Sequence, residues 1–537
     1  MRYDVIVVGG GAAGLTAAAY AARAGKTVAL FEKQQELGGL VRSVNRGGFV
    51  FDMGLRAIEN SGIVLPMAAE LGLPLKYVKS RVSLGIADRI ISIESKESLD
   101  EYRRLLESFY PESRRDIEAI LEVIVKIMKD MDVLYGIDNP LFKDLKQDTS
   151  YVFRTLLPWS VKFLLTIGRI NRMNAPIEEY LAALTANVSL RSIIGQHFFR
   201  HTPAFFAMSY FSVYLDYLYP EAGTGTLMKL LAEYGEKQGV SIRKNCRITK
   251  VEPGHNAVIT EDGARYTYGA LIWAADLNSL FAAVDVTGLS DVKTKRAIEL
   301  RREELKRSHS GDSVFSVFLS VDEPPKYFSS KSEGHFFYTP DPHGLGDLHT
   351  RGLEELLANY DRLDDPVQAV KDYLRRFLSL NTFEISIPVL KDPSMAPAEK
   401  AGLIVSWLFD FTLLKKLREA GRYEELKEFS ITEVIRILSR TVYPELEGKI
   451  LDRFASTPLS MEEHTGNTGG AITGWAFGPE EVPVIHEMQQ VAKAVLTPMK
   501  DVYQAGQWAY SPSGLPIAIL TGKLAANRAV KSRSTGG

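Results

Sequence analysis

Three glycines close to the N-terminus carry the strongest chemical signal in the chain. Gly9, Gly11 and Gly14 follow the spacing G-x-G-x-x-G, and Glu32 follows them. In this spacing the first glycine permits a tight turn, the second lets the backbone approach a pyrophosphate, and the third lets a helix pack close to a strand. A carboxylate in the position of Glu32 accepts hydrogen bonds from a ribose diol and repels a 2′-phosphate. Together these residues predict a dinucleotide site.

The segments around the glycines are those that such a site needs. Residues 5–8 form an apolar run typical of a buried strand, residues 15–24 indicate a helix, and residues 27–31 indicate a second strand ending at Glu32. The free N–H groups and the positive dipole end of the helix would face the phosphates. A βαβ unit that serves packing alone is the alternative interpretation.

Two other segments are candidates for the same site. Gly38 and Gly39 would let the backbone pass close to a cofactor, and Arg42 or Arg56 could face its phosphates or a substrate. For either arginine, a surface salt bridge is the alternative. Near the C-terminus, residues 502–508 indicate a strand, and residues 514–517 lead into a helix ending near residue 530. The N–H groups at the start of that helix would stabilise the negative charge of a reduced flavin ring.

Composition limits the possible classes of protein. The 537 residues suggest two or three domains, and a formal net charge of −2 gives no reason to expect nucleic acid. The single cysteine, Cys246, excludes an internal disulfide and a cysteine metal cluster. The first strand begins almost at Met1 and no apolar stretch reaches the length of a spanning helix, so we expect a cytoplasmic protein, either soluble or peripheral at a membrane.

The rest of the pattern predicts a second, mixed domain. Residues 66–214 are mainly helical by pattern, as in a cap over a sheet, and residues 219–276 return to alternating helix and strand. Residues 313–322, 384–390 and 403–409 indicate an antiparallel sheet. We therefore expect an α/β fold, with a doubly wound parallel sheet of Rossmann type and an α+β substrate domain.

The segment 159–173 has the pattern of a basic amphipathic helix. Lys162, Arg169 and Arg172 fall within an arc of about 80° on a helical wheel. Such a helix suits a membrane surface, where it could admit a lipophilic substrate. An internal helix with a solvated basic face is the alternative.

Several motifs over nearly the whole length resemble one family. They are the glycine motif with Glu32, residues 51–54 (FDMG), residues 392–397 (DPSMAP), residues 457–459 (TPL) with 465–467 (TGN), and residues 514–516 (GLP). In these the chain resembles the carotenoid desaturase and carotenoid isomerase group, including retinol saturase, which is phytoene dehydrogenase-like and lies within the FAD amine oxidase superfamily. Gln507, Trp508 and Tyr510 depart from the family pattern and could shape a different substrate pocket.

The resemblance implies an FAD enzyme that transfers hydride between flavin N5 and a lipophilic alkene or polyene. It implies an FAD-binding domain from residues 1–75, 215–290 and 450–537, and a substrate domain from residues 76–214 and 291–449. Ile248 matches a backbone contact to adenine, and residues 515–517 match the segment beside the isoalloxazine. The predicted cofactor residues are Gly9, Gly11, Ala12, Ala13, Gly14, Glu32, Lys33, Gly39, Leu40, Gly54, Ile248, Gly506, Leu515, Pro516 and Ile517. Arg56 is the candidate catalytic residue, because it follows the turn at residues 52–54.

Other functions remain open at this point. A flavin amine oxidase would hold its amine between aromatic side chains, and Trp475, Phe477, Trp508 and Tyr510 are candidates, although such residues more often pack a core. A polyene isomerase without net redox change and a non-catalytic FAD-binding protein are further alternatives. No histidine pair has the HExxH spacing; His197 and His201 would share a helix face, and we predict no metal site.

Overall fold

The computed structural model describes residues 1–477, 482–511 and 513–532. The strands of these residues are β1 (Arg2–Val8), β2 (Val28–Phe31), β3 (Ser43–Arg46), β4 (Phe49–Asp52), β5 (Tyr77–Lys79), β6 (Val82–Ile86), β7 (Arg89–Ile93), β8 (Leu218–Pro220), β9 (Ser241–Arg243), β10 (Ile248–Glu252), β11 (Ala257–Thr260), β12 (Arg265–Trp273), β13 (Ser313–Val321), β14 (His335–Thr339), β15 (Phe383–Ser386), β16 (Ala401–Phe409), β17 (Ile450–Ser456) and β18 (Val502–Gln504).

The helices of the same residues include α1 (Ala12–Arg23), α2 (Val64–Leu71), α3 (Ser98–Phe109), α4 (Arg114–Leu134), α5 (Thr149–Tyr151), α6 (Leu157–Ile170), α7 (Ile177–Leu184), α8 (Val188–Gly195), α9 (Ala204–Met208), α10 (Tyr210–Asp216), α11 (Gly225–Lys237), α12 (Leu277–Ala283), α13 (Val292–Arg307), α14 (Pro325–Ser329), α15 (Leu353–Asn359), α16 (Pro366–Leu380), α17 (Phe411–Glu419), α18 (Tyr423–Arg440), α19 (Pro458–Thr465), α20 (Val491–Ala494) and α21 (Leu515–Lys531).

The first sheet is parallel at its centre and has helices on both faces. β18, β12, β1, β2 and β9 pair in parallel, and β10 and β11 extend the sheet as an antiparallel meander from β12. Along β1, Val5 and Val7 pack on the side of α1 and α21, whereas Ile6 and Val8 pack on the side of α12 and α13. A strand buried on both faces needs a continuous apolar run, which explains residues 5–8. The α/β prediction is confirmed.

The second sheet has the order β17-β13-β16-β15-β14-β6-β7. All neighbours are antiparallel except β6 and β14, which are parallel. Its core packs against α16, α17 and α18. β17 (Ile450–Ser456) pairs with β13 in this sheet. We expected residue 450 to begin the last part of the FAD-binding domain instead. The division into domains itself remains a prediction.

The predicted helical cap is present but contains an unexpected hairpin. Residues 66–214 include β6 and β7, which join the second sheet before α3 and α4 begin. The cap helices bury their own apolar cluster against β6. No helix among the described residues has the length and apolarity needed to span a bilayer.

Two local predictions were wrong. His197 and His201 do not share a helix face, because α8 ends at Gly195 and His201 lies in a turn with φ +57°. The strand predicted at residues 384–390 ends early, because Pro388 has no N–H to donate to a neighbouring strand and begins a 3₁₀ turn there.

Candidate active site

A cavity of about 600 Å³ opens at the carboxyl edge of the first sheet. Val8, Phe31 and Trp273, the last residues of β1, β2 and β12, line it. Open α/β sheets bind their ligands outside the carboxyl ends of parallel strands. The cavity therefore lies where the glycine motif predicts a dinucleotide.

The three motif glycines have different surroundings. Gly9 has φ +104°, and a Cβ built on it would lie 2.6 Å from the carbonyl oxygen of Ala274. A Cβ on Gly14 would lie 1.9 Å from the carbonyl oxygen of Gly9. A Cβ on Gly11 would meet no protein atom closer than Gly39 Cα, 4.0 Å away, and both residues line the cavity. Gly9 and Gly14 thus serve the turn and the packing, while Gly11 leaves space for a ligand.

Backbone groups hold the Glu32 carboxylate at the cavity wall. Gly10 N–H donates to Oε2 at 2.6 Å, and Gln34 N–H donates to Oε1 at 2.9 Å. Helix α1 begins beside it at Ala12, without a side-chain cap and without an acidic residue in its first turn. Its first N–H groups are therefore available to an anion, and Glu32 retains lone pairs for a diol.

The structure brings most of the predicted cofactor residues into this cavity. Those that line it are Gly9, Gly11, Ala12, Ala13, Glu32, Lys33, Gly39, Leu40, Gly54, Ile248, Gly506 and Leu515. Gly14 lies beneath the turn, and Pro516 and Ile517 line a neighbouring cavity. A cavity with a diol acceptor, an uncapped helix end and a glycine-lined wall fits FAD, and the role of each residue as a contact remains a prediction.

A buried cluster of charged groups adjoins the cavity, and sequence reasoning found only part of it. Asp52 accepts hydrogen bonds from Tyr219 Oη (2.5 Å), Ser43 Oγ (2.7 Å), and the N–H and Oγ1 of Thr224 (both 2.9 Å). Arg56, only 4% exposed, donates to the carbonyl of Asp52 and to Ser406 Oγ at 3.0 Å.

Arg56 therefore connects the turn after β4 to the second sheet. Its guanidinium also donates to Ser316 Oγ at 3.3 Å, so that it reaches both β13 and β16. Arg56 lines the cavity, and its Nε has no hydrogen-bond partner among the described residues. Burial lowers the pKa of Arg56. These contacts are those of a structural clamp beside the cavity.

Lys391, Glu384 and His335 complete the cluster. Lys391 Nζ donates to the carbonyl of Arg56 (3.0 Å) and to Ser386 Oγ (2.9 Å), and burial lowers the pKa of Lys391 to about 7. Glu384 lines the cavity and pairs with His335 Nε2 at 3.0 Å. Burial lowers the pKa of His335, and the histidine, Arg56 and Lys391 keep the pKa of Glu384 below its usual value despite burial.

A second cavity of about 1290 Å³ continues from the first. Four residues line both, namely Leu55, Ile472, Gly514 and Leu515. Its walls are mostly apolar and aromatic, and they include Tyr135, Phe163, Ile167, Phe206, Tyr210, Tyr217, Phe477 and Tyr510. Trp475 and Trp508 do not face it; they are buried and pack edge to face, 4.8 Å between ring centroids.

Helix α6 covers one side of the second cavity and has two apolar faces. Trp159, Phe163, Ile167 and Ile170 line the cavity. On the opposite side Leu164 and Leu165 are each 68% exposed, next to exposed Leu157 and Val161. Of the basic residues predicted to share this helix, Lys162 and Arg169 lie on the exposed face of α6, and Arg169 is held by Asp130 of α4. Arg172 is exposed but follows the end of the helix at Ile170.

Solved structures share this architecture. An oxidoreductase from Methanosarcina mazei superposes with a TM-score of 0.60 at 14% identity, covering 97% of this chain and 99% of that one. Putrescine oxidase bound to putrescine superposes with a TM-score of 0.59 at 14% identity, covering 98% of both chains. At these identities the likeness establishes the fold.

Curated proteins resemble the sequence over nearly its full length. All-trans-retinol 13,14-reductase of Danio rerio is 22% identical over 94% of this chain and 82% of its own. An inactive all-trans-retinol 13,14-reductase of Danio rerio is 23% identical over the same shares. 4,4'-Diapophytoene desaturase of Staphylococcus aureus is 22% identical over 99% of both chains.

The family itself follows from a match over most of the chain. The model of the flavin containing amine oxidoreductases matches residues 12–370, which include Gly14, Glu32, Arg56 and Ile248. This match agrees with the cavity at the carboxyl edge of the first sheet and with the resemblance to carotenoid desaturases and retinol saturase. The chain belongs to the flavin-containing amine oxidoreductase family and is an FAD-dependent oxidoreductase.

Proposed function

We propose that the enzyme adds or removes hydrogen across a carbon–carbon bond of a lipophilic polyene or alkene. FAD would lie in the first cavity, where it supplies hydride transfer at N5, and the substrate would lie in the second. The observation that carries the proposal is the shared wall at Leu55, Ile472, Gly514 and Leu515, because it brings a large, mostly apolar cavity to the predicted flavin end of the site. Relatives named for a retinol reductase and a diapophytoene desaturase support the substrate class.

The predicted cofactor residues have defined parts in this proposal. Glu32 would accept hydrogen bonds from the ribose diol, and the N–H groups of Ala12 and Ala13 would face the pyrophosphate. Gly506 and the start of α21 would lie beside the isoalloxazine. Arg56 would act at the edge of the site, where it holds the turn at residues 52–54 against the second sheet.

We further propose that the exposed face of α6 lies on a lipid bilayer. Leu157, Val161, Leu164 and Leu165 would enter the apolar region, with Lys162 and Arg172 facing anionic headgroups. The opposite face of the same helix lines the second cavity. A lipophilic substrate could then pass from bilayer to cavity without crossing water.

Amine oxidation is the second candidate, because carboxylates line the second cavity. Glu179 and Glu487 are exposed at its rim, while Glu59 lies inside. A carboxylate inside the pocket suits a protonated amine, and Phe477 and Tyr510 line the same cavity. Against this reading, the rest of the cavity is large and mostly apolar, which suits a polyene.

One anaerobic experiment separates the two functions. The FAD-loaded enzyme would be mixed with phytoene-type polyenes, retinol or diamines in lipid vesicles, and flavin absorbance and extracted products would be followed. Bleaching of oxidised flavin with a more conjugated product supports desaturation, and a saturated product that needs pre-reduced flavin supports the reductive direction. Isomers that form without net flavin oxidation or reduction would support the isomerase alternative. Bleaching by diamines and by no polyene would refute the proposal.

A further inference from the structure

The carboxyl group of Glu59 lies inside the second cavity, close to the place where the two cavities join. It follows Leu55 and Ala57 on the same lining segment, and Leu55 lines both cavities. A methyl group built on Gly514, which also lines both, would lie 3.6 Å from Glu59 Oε1. The carboxyl group therefore lies beside the start of α21, where the isoalloxazine is expected.

The surroundings of Glu59 leave its carboxyl group free to react. Among the described residues, the influences on its side chain are burial and Asp216, with no hydrogen-bond donor and no cation. The ionisable groups that face it are Asp216 from the end of α10 and the phenols of Tyr135, Tyr210 and Tyr217. Burial, with a smaller effect of Asp216, raises the pKa of Glu59 to about 7. The positive end of α21 acts in the opposite direction and favours the carboxylate.

We propose that Glu59 is the catalytic residue that exchanges a proton with the substrate carbon next to the carbon that exchanges hydride. In desaturation, one substrate carbon–hydrogen bond would break, and its hydrogen would pass with both bonding electrons, as hydride, to the oxidised flavin. The neighbouring carbon–hydrogen bond gives its proton to a carboxylate oxygen of Glu59, and its electrons form the new double bond. The substrate would lose two electrons, which bound FAD would accept, and Glu59 would later release the proton to water. Saturation reverses each transfer.

Geometry and chemistry support this role together. As hydride leaves one carbon, positive charge develops there and the C–H bond of the neighbouring carbon becomes strongly acidic. A base of ordinary strength then suffices to take that proton if it is held nearby. The other lining carboxylates, Glu179 and Glu487, are exposed at the rim. A carboxyl group that titrates near neutrality supplies either the base or the acid at physiological pH. This role rests on the proposed function, since it requires a substrate in the second cavity.

The test compares Glu59→Gln with wild type and with the control Glu118→Gln, an exposed position on α4. We expect both variants to retain FAD. The rate of flavin bleaching by polyene should fall about 100-fold or more in Glu59→Gln and stay unchanged in Glu118→Gln. In wild type that rate should fall as the pH drops below about 7, because the carboxylate is the base, and this dependence should disappear in Glu59→Gln. Saturation should show the opposite pH dependence.

Infrared difference spectra give a readout that does not depend on turnover. The carbonyl stretch of a protonated carboxyl should grow in wild type as the pH falls through about 7 and should be missing in Glu59→Gln. Equal bleaching rates in Glu59→Gln and wild type would overturn the role of Glu59 while leaving the proposed function intact. A wild-type enzyme that diamines bleach and polyenes do not would overturn both.

Discussion

At the scale of single residues, the charged cluster beside the first cavity places two buried basic side chains close to two carboxylates. Arg56 and Lys391 are both buried, and Asp52 and Glu384 lie close enough to influence their pKa values. The side chain of Asp52 accepts hydrogen bonds from Tyr219, Ser43 and Thr224. Removing one member of such a cluster leaves a charge of opposite sign buried without its partner, which lowers the free energy of unfolding.

Lys391 gives the cluster a pH dependence with a definite sign. Its pKa is about 7 in the folded chain, against 10.5 for the free side chain. Between these values the unfolded chain binds more protons, so the free energy of unfolding should rise with pH by up to about 1.4 kcal/mol per unit. Denaturant titrations of wild type and Lys391→Met between pH 7 and 10 should show a smaller rise in the variant. Equal slopes would refute the assignment.

Arg56→Ala tests the clamp and the catalytic prediction together. Loss of its hydrogen bonds to Ser406 and the Asp52 carbonyl should lower the free energy of unfolding by about 3 kcal/mol. Turnover should fall while FAD stays bound. Arg46→Ala, which breaks an exposed pair with Asp452, is the control and should cost less than about 1 kcal/mol. Unchanged turnover in Arg56→Ala would remove this residue from the catalytic candidates.

Gly11→Val tests the cofactor cavity. The valine side chain would enter the space between Gly11 and Gly39 that we assign to the cofactor. FAD retained after purification should fall at least about 10-fold, because the side chain takes the place of the pyrophosphate. Gly448→Ala, where a Cβ meets nothing within 4 Å, is the control. A yellow Gly11→Val protein with one flavin per chain would contradict the assignment.

At the scale of elements, α6 combines two tasks in 14 residues. One face closes the second cavity, and the other exposes four large aliphatic side chains to solvent. Soluble surfaces rarely keep such residues together without a partner. The helix is too short to span a bilayer, so its exposed face would lie at the interface.

The double variant Leu164→Glu, Leu165→Glu tests that face. Both side chains are 68% exposed, so the fold should tolerate the change. Binding to anionic vesicles in a flotation assay should weaken by at least about 10-fold, because two apolar side chains no longer enter the lipid. Leu300→Glu on α13, which is also exposed, is the control and should bind like wild type. Vesicle binding that the double variant retains in full would contradict the interfacial role of α6.

Local signals made the first sheet and its cavity predictable from sequence. The glycine motif, the apolar run of β1 and Glu32 lie within one βαβ unit. Their spacing in the sequence is therefore enough to predict their relative positions. Glu384 and His335 were missed because they meet through the antiparallel pairing of β14 with β15, about 50 positions apart in sequence. Glu59 was missed because its raised pKa comes mainly from burial, and one sequence does not show which carboxyl groups the cap will cover.

At the scale of the whole molecule, the two sheets meet at the first cavity. The parallel sheet offers its carboxyl edge to the first cavity, and residues of the second sheet, Val314, Glu384 and Ser406, close it from the other side. The helical cap encloses the second cavity beneath α6. Cofactor and substrate would thus be held by different layers of the fold and meet at Leu55, Gly514 and Leu515.

The most direct test is a crystal structure of the FAD-loaded enzyme with a polyene bound under anaerobic conditions. The proposals predict the FAD ribose at Glu32, the isoalloxazine at Gly506 and Leu515, and the polyene in the cavity lined by Phe163, Tyr210 and Tyr217. The reacting carbons should lie between the flavin and Glu59. A polyene bound outside this cavity, or a flavin ring turned away from Leu515, would contradict the proposed function.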